Sequence, residues 1–250
     1  MSKQLTKDEL KELINVAVEK LNLLLTDLGN DTKNAFAFKR AGLIAYWLID
    51  YVKMLRYETV FDSTKLIRYN RGDVVCVNFG YRIGNELGGR HFAFVLDNYN
   101  SLKSGVVTVI PLTSKKENYV SNCFSHELQF GLYELHNEKL KKLIDEQKSE
   151  LNTIDSQIDV IDTEQLNPIA NKVKKISQKS VEMKNLEKSI LKLKEGTIAN
   201  LGQVTTISKI RIVNPKQASD SLGKIKINPA DLDVITEKLN YLYSRHKKEF

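Results

Sequence analysis

Two neighbouring residues, Arg90 and His91, have side chains suited to chemistry on a charged substrate. A guanidinium stays charged at physiological pH and can bind two phosphate oxygens in a fixed geometry. An imidazole titrates near neutral pH and can take up or release a proton. Because successive side chains of a strand point to opposite faces, we expect only one of the two to face a given groove. The simpler interpretation of Arg90 is a strand-end residue that forms an ion pair with Glu86.

The other histidines, the cysteines and the glycines do not match known cofactor motifs. The four histidines lack HxxxH or HExxH spacing and the two cysteines form no CxxC pair, so we expect no metal site and no cofactor. His126 lies in a strand-like segment and could line a groove, whereas His136 and His246 are expected on solvated helix faces. The segment GNELGG, residues 84–89, lacks the G-x-x-x-x-G-K-[ST] pattern of a P-loop and is interpreted as a mobile loop over a groove.

Composition favours a polyanionic partner. The chain has 250 residues, 38 Lys and Arg against 31 Asp and Glu, and a net charge of +7. The surplus is concentrated in 67–133 and 196–250, with net charges of +2 and +4, whereas 134–195 is neutral. Two cysteines are too few for a disulfide scaffold, and no apolar run approaches the roughly 18 residues of a membrane span. The N-terminus has no apolar signal-peptide core, so a cytoplasmic protein is expected.

Hydrophobic periodicity predicts helices at both ends of the chain and strands between them. Apolar residues at helical spacing predict helices over 5–28 and 33–60, the first capped by Thr6 with Glu9. Short β-branched runs predict strands over 73–80, 90–96, 106–113 and 123–130, with more β-structure over 196–213. Asn228 and Pro229 open a C-terminal helix.

A helical hairpin is predicted between the two β-rich blocks, over 134–195. Its apolar residues alternate spacings of three and four, as in a coiled coil, and the pattern breaks at Pro168. Residues 134–164 hold 9 acidic and 4 basic side chains, and residues 172–194 hold 8 basic and 2 acidic. The two arms are therefore expected to pair with each other.

Three motifs, in this order, resemble the PemK/MazF family of toxin endoribonucleases. They are RGDVV at 71–75 with GNELGGRH at 84–91, VVTVIPLT at 106–113, and LGQVTTISKIRI at 201–212. The resemblance implies an α+β fold built on a small SH3-like antiparallel β-barrel with a C-terminal helix. The predicted domains are an N-terminal helical extension at 1–66, a barrel at 67–133 plus 196–250, and the inserted antiparallel coiled-coil hairpin at 134–195.

The same resemblance implies an activity and a set of site residues. The family's members are metal-independent endoribonucleases that cleave single-stranded RNA by 2′-OH attack, leaving a 2′,3′-cyclic phosphate. They are usually homodimers and are neutralised by a cognate antitoxin protein. By resemblance, Arg90 takes the place of the catalytic Arg and Thr113 that of the catalytic Thr. His91 and His126 are possible acid or base groups. The expected RNA-binding residues are Arg82, Glu86, Gly88, Gly89, Ser114, Lys115 and Lys116.

A second function remains open at this stage. The barrel could be a non-catalytic nucleic-acid-binding or regulatory adaptor whose helical hairpin docks other proteins. Each candidate residue also has a structural interpretation, since Thr113 fits an ordinary β-strand and Lys115 and Lys116 fit a solvated loop.

Overall fold

The computed structural model describes residues 5–31, 33–158, 166–190 and 193–244. The chain divides into two compact units, residues 1–60 and residues 61–250. The first is helical and the second combines helices with an antiparallel sheet, so the predicted α+β class is confirmed. Within the described ranges, no helix combines the length and the apolar character that crossing a bilayer requires.

The first unit is a pair of helices, α1 (Lys7–Asn30) and α2 (Ala35–Glu58). The predicted capping box is present at the start of α1: the Glu9 amide donates to the Thr6 hydroxyl at 3.2 Å, and the Thr6 amide donates to the Glu9 carboxylate at 2.8 Å. The side chain of Asn34 caps α2 by accepting from two backbone amides. These caps satisfy amide groups that a helix leaves unpaired at its first turn.

The second unit is built on seven strands. They are β1 (Val74–Asn78), β2 (Arg90–Val95), β3 (Val106–Ser114), β4 (Ser125–Glu127), β5 (Thr197–Asn200), β6 (Thr205–Ser208) and β7 (Ile212–Asn214). The strand order is β4-β5-β3-β2-β1-β7, with β6 also paired to β3. This path has two ends among the described strands, so the antiparallel sheet of the predicted barrel is present there but does not close on itself.

The sheet has a separate apolar core on each face. On one face Val74, Phe94, Ile110 and Leu112 pack against the helices, and we call this the helix-covered face. On the other face Val75, Val77, Ala93, Val95 and Val109 pack against side chains from β6, β7 and the segment before β1, and we call this the groove face. Alternation along each strand decides the face of every side chain.

Three helices cover the first face: α3 (Leu132–Ile158), α4 (Leu166–Ile190) and α5 (Pro229–Tyr243). The predicted cap at Asn228 and the Pro at the first position of α5 are both present. The expected break at Pro168 lies within the first turn of α4, where proline is tolerated because that amide has no helical partner.

The helical hairpin formed by α3 and α4 is held together by charge and by a polar pair. Lys179 of α4 lies 3.1 Å from Glu146 and 2.8 Å from Glu150 of α3, as the opposite charges of the two arms predicted. Gln147 donates to the Ser180 hydroxyl at 2.8 Å across the seam. The base of the hairpin is part of the main core, because Leu186 is fully buried with the sheet residues.

His136 differs from the expectation for a solvated histidine. The side chain lies on α3, is fully buried, and packs edge-on against Phe92 with the ring centres 6.2 Å apart. Its Nδ1 lies 2.6 Å from the Leu132 carbonyl oxygen. Burial lowers its pKa, because a charged ring would have to be desolvated. His246 lies outside the described residues.

Removal of the Leu186 side chain tests whether the hairpin is part of the folding unit. Leu186→Ala creates a cavity in the core and should lower the free energy of unfolding by about 2–5 kcal/mol. Val181→Ala, on an exposed position of the same helix, is the matched control and should change it by less than about 0.5 kcal/mol. Urea denaturation of both variants measures the difference, and equal values would mean that α4 folds independently of the sheet.

Candidate active site

The pairing of β2 with β3 determines which candidate residues share a face. Ala93 pairs with Pro111 and Val95 with Val109, and all four belong to the groove face or its continuation. Beyond this pair the two strands take other partners: residues 90–92 of β2 pair with β1, and residues 112–114 of β3 pair with β5. His91 lies two residues before Ala93 and Thr113 two residues after Pro111, so both have the strand alternation of the groove face.

Arg90 lies on the helix-covered face, one residue before His91. It pairs in register with Asn78, and its charge acts on Cys76, a neighbour of the main core. Burial raises the pKa of the Cys76 thiol, while the nearby guanidinium lowers it. The strand ends that carry Arg90 and Thr113 pair with β1 and β5 and not with each other, so the joint role of these two residues stays a prediction.

His91 has the environment of a neutral imidazole. It pairs with Val77 and is about half-buried, and desolvation lowers its pKa. A hydrogen bond with the backbone of Gly88 raises the pKa of His91, as expected when the ring donates to a carbonyl. One ring nitrogen then donates to Gly88, and the other keeps a lone pair that can accept a proton.

The glycine loop, residues 80–89, is closed at its base by two backbone hydrogen bonds. Phe79 donates to the Gly89 carbonyl at 2.8 Å, and Gly89 donates to the Gly80 carbonyl at 2.7 Å. A side chain at Gly88 would come within 2.8 Å of the Gly80 carbonyl oxygen, and Gly89 has a φ of +85°. Glycines are required at both positions for steric reasons, which gives Gly88 and Gly89 a role in shaping the loop.

Gln203 connects the glycine loop to a distant part of the chain. Its side-chain oxygen accepts from the Leu87 amide, and its side-chain nitrogen donates to the Asn85 carbonyl, each at 3.3 Å. The residue lies in the short 3-10 helix Leu201–Gln203 between β5 and β6. In the sequence this glutamine was recognisable only as part of a family motif. Its side-chain amide has both a donor and an acceptor, so it can bind the backbone of the loop at two points.

Two clefts open along β3, one at Pro111 and one at Thr113, and His91 is not among the lining residues of either. The smaller, of about 210 Å³, lies between the glycine loop and the 3-10 helix and is lined by Arg82, Glu86, Pro111 and Gln203, among others. The larger, of about 930 Å³, is lined by Thr113, Ser114, three lysines and neighbouring residues. The lysines are Lys115, Lys116 and Lys194. Pro111 and Thr113 are two residues apart on β3, so the clefts adjoin the same strand end.

The charged residues of the two clefts are partly paired. Arg82 donates to the Phe79 carbonyl at 3.1 Å and lies 3.6 Å from Glu86. Lys115 forms a 2.8 Å ion pair with Glu127 of β4. Lys116 is exposed at the rim of the larger cleft. Five of the seven expected RNA-binding residues therefore line one of the two clefts, and the other two, Gly88 and Gly89, line neither. The basic side chains among the five are suited to contact phosphates.

His126 lies apart from this arrangement. It pairs with Ala199, a residue of the helix-covered face, and its Nε2 lies 2.8 Å from the buried carboxylate of Asp231 on α5. Asp231 also accepts from the Gln129 amide. This contact fastens α5 to β4, so the structure gives His126 a packing role and does not bring it to the groove. Across the described ranges, no three His, Cys, Asp or Glu side chains are grouped as metal ligands.

Residues 70–193 match the family described as the PemK-like, MazF-like toxin of type II toxin-antitoxin systems. This part of the chain, which includes β1–β4 and most of the helical hairpin, belongs to that family. No curated protein matched the chain.

Replacing Gln203 tests its hold on the glycine loop. Gln203→Met keeps the length of the side chain but removes both hydrogen bonds, each of which contributes about 0.5–1.5 kcal/mol. Hydrogen exchange at the Leu87 amide should therefore accelerate by about tenfold, while the core amides of β3 stay protected. Gln217→Met, at an exposed glutamine in another loop, is the control and should leave exchange at Leu87 unchanged.

Proposed function

We propose that this toxin-family protein is a metal-independent endoribonuclease that cleaves single-stranded RNA on the groove face. The proposal rests on residues 70–193, which match a toxin family, on the same phase of strand alternation for His91 and Thr113, and on the basic side chains that line the cleft at Thr113. Cleavage of RNA by toxins of this family implies a cytoplasmic site of action and a cognate antitoxin as a partner.

The proposed reaction uses the 2′-OH of the RNA as the nucleophile. The neutral ring of His91 takes the hydroxyl proton, the 2′-oxygen forms a bond to phosphorus, and the bond to the 5′-oxygen breaks. The products are a 2′,3′-cyclic phosphate and a 5′-hydroxyl: a solvent water gives the leaving 5′-oxygen its proton, and the protonated His91 returns its proton to solvent. The Thr113 hydroxyl donates a hydrogen bond to the phosphorane as negative charge develops on it.

Arg90 has a different role from the one that its place in the motif implied. Alternation along β2 supports a place for Arg90 away from the reacting phosphate, and its exposure at the start of the strand allows contact with RNA beyond the groove. Among the cleft residues, Arg82 and Lys116 are the cations that we assign to phosphate binding. Ser114, next to Thr113, lines the larger cleft and could contact the same strand of RNA.

A comparison of neighbouring variants tests the assignment. We expect His91→Gln to slow cleavage of a mixed-sequence single-stranded RNA in EDTA by about 100-fold or more, as for loss of a general base. Thr113→Val, which keeps the shape of the side chain and removes the hydroxyl, should slow it by a smaller factor. Arg90→Gln is the matched control and should retain cleavage with weaker binding. Product ends are identified by mass spectrometry.

The opposite pattern has a clear meaning. Inactive Arg90→Gln with active His91→Gln would contradict the His91 assignment and restore the role that the motif implied. Intact RNA in the presence of measurable binding by the wild-type protein would favour the adaptor function over the nuclease.

The pH dependence of cleavage should follow the neutral form of His91. Because burial lowers its pKa below the ordinary 6.5, the reactive form predominates at pH 7 and is lost as the pH falls through the lowered pKa. Single-turnover rates between pH 8 and pH 5 should be flat at first and then decline about tenfold per unit. A rate that rises towards acidic pH would contradict this role.

Buried His136 makes a folding control necessary in that experiment. Its pKa is also lowered in the folded state, so the unfolded chain binds more protons below about pH 6.5 and folding weakens as the pH falls. Near-UV circular dichroism at each pH separates a loss of cleavage from a loss of structure.

A further inference from the structure

The side of α4 that points away from α3 carries a line of lysines. The seam of the hairpin fixes this side, because Gln147 of α3 contacts Ser180 and the backbone of Ile176, and Leu186 is buried. With about 3.6 residues per turn, seven residues of α4 lie opposite the seam, and all of them are exposed. We call them the lysine face: Lys174, Ser177, Gln178, Val181, Lys184, Asn185 and Lys188.

The lysine face has three positive charges and contains no acidic residue. Both acidic residues of α4 lie elsewhere on the helix. Glu182 forms a 2.7 Å ion pair with Lys139 of α3, and Glu187 lies on the flank next to the seam. The positive charge of the lysine face is therefore not balanced by carboxylates on the same side of α4.

The outer side of α3 has a different charge pattern. Its exposed charged residues include three acids and two lysines: Glu134, Glu138, Lys141, Asp145 and Lys148. Interspersed charges of both signs are typical of a helix face that only has to be solvated. The two arms of one hairpin thus differ, and solvation alone does not account for the lysine face.

The uncharged residues between the lysines are also suited to phosphates. Ser177, Gln178 and Asn185 can donate hydrogen bonds, and proteins use such side chains together with lysine to bind phosphate oxygens of nucleic acids. From Lys174 to Lys188 the face extends about 21 Å along the helix axis. This length fits a run of phosphates along a strand better than one small anion.

A membrane or a protein partner fits the lysine face less well. Val181, which is 58% exposed, is the one large apolar residue on it. A helix that binds a lipid surface needs a broad apolar face, and a protein interface needs buried aromatic or aliphatic anchors. The lysine face offers neither, so its chemistry favours a nucleic-acid backbone.

The lysine face ends close to the larger cleft. Lys188 lies two residues before the end of α4, and Lys194 lines the larger cleft together with Lys116 and Thr113. Six residues of chain span at most about 22 Å, which limits the separation of Lys188 and Lys194. One RNA strand can therefore contact both the cleft and the lysine face.

We propose that the lysine face of α4 is a second binding site for single-stranded RNA, which holds the sugar-phosphate backbone outside the cleft. This inference rests on the proposed ribonuclease function, which brings the RNA strand to the cleft. Two linked contacts on one strand raise the effective concentration of RNA at the cleft without taking part in the reaction. The lysines of this face are binding residues and not catalytic ones.

Lys184→Gln combined with Lys188→Gln tests the proposal in the full chain. Binding is followed by fluorescence anisotropy with 2′-O-methyl RNA, which lacks the free 2′-OH and is not cleaved. For a strand of about 25 nucleotides, the Kd should rise about tenfold at low salt, and the slope of log Kd against log salt should fall by about 1.4, or about 0.7 per lost phosphate contact. For a strand of about six nucleotides, which occupies only the cleft, the Kd should stay the same.

Lys141→Gln combined with Lys148→Gln is the matched control. It removes the same number of charges from exposed positions of the other arm of the hairpin. Glutamine is nearly as good a helix former as lysine, so both double variants should keep the far-UV circular dichroism of the wild type. The control should change the Kd for either strand by less than about twofold.

Cleavage of unmodified RNA separates this inference from the proposed function. The Lys184 and Lys188 variant should raise KM for the long strand and leave kcat unchanged, because the lysine face does not touch the reacting phosphate. A wild-type protein that binds the long strand through these lysines but cleaves no RNA would contradict the nuclease and leave the second binding site intact.

Three results would overturn the second binding site. The first is the same affinity of the α4 and α3 variants for the long strand, and the second is an equal loss of affinity for long and short strands. The third is a variant of the lysine face that loses binding to anionic phospholipid vesicles and keeps its affinity for RNA, which would identify a membrane contact.

Discussion

The register between β2 and β3 is the constraint on which the rest of the second unit depends. The pairing of Ala93 with Pro111 sets which side chains enter each core, and it assigns adjacent residues of β2 to different environments. A slip of one residue would exchange the two faces and expose the apolar residues of β2. The two cores, one under the helices and one under β6 and β7, hold the register from both sides, so His91 and Arg90 cannot exchange faces.

Much of the fold was predictable from local sequence because the signals were strong and periodic. The capping box at Thr6, the cap at Asn228 and the charge difference between α3 and α4 each led to the observed local structure. The openness of the sheet was not predictable, because it depends on how far β4 and β7 stand apart at the two ends of the strand order. That separation arises from long-range packing, about which a local sequence pattern contains no information.

The candidate site was only partly predictable for a related reason. The expectation that Arg90 and Thr113 act together came from motif position, whereas the face of each side chain depends on pairing between strands. The burial of His136 and the contact of His126 with Asp231 arise from helix packing onto the sheet. Gln203 was recognisable as part of a motif, but its partners in the glycine loop are more than 110 residues away.

The hydrogen bonds of Gln203 have a consequence for the order in which a ribosome makes the chain. The glycine loop, His91 and Thr113 are synthesised first, followed by the whole helical hairpin, and only then by β5, the 3-10 helix and β6, which pair with β3. The loop acquires its side-chain anchor when about four-fifths of the protein exists. The surface around His91 and Thr113 is therefore assembled only when synthesis is almost complete.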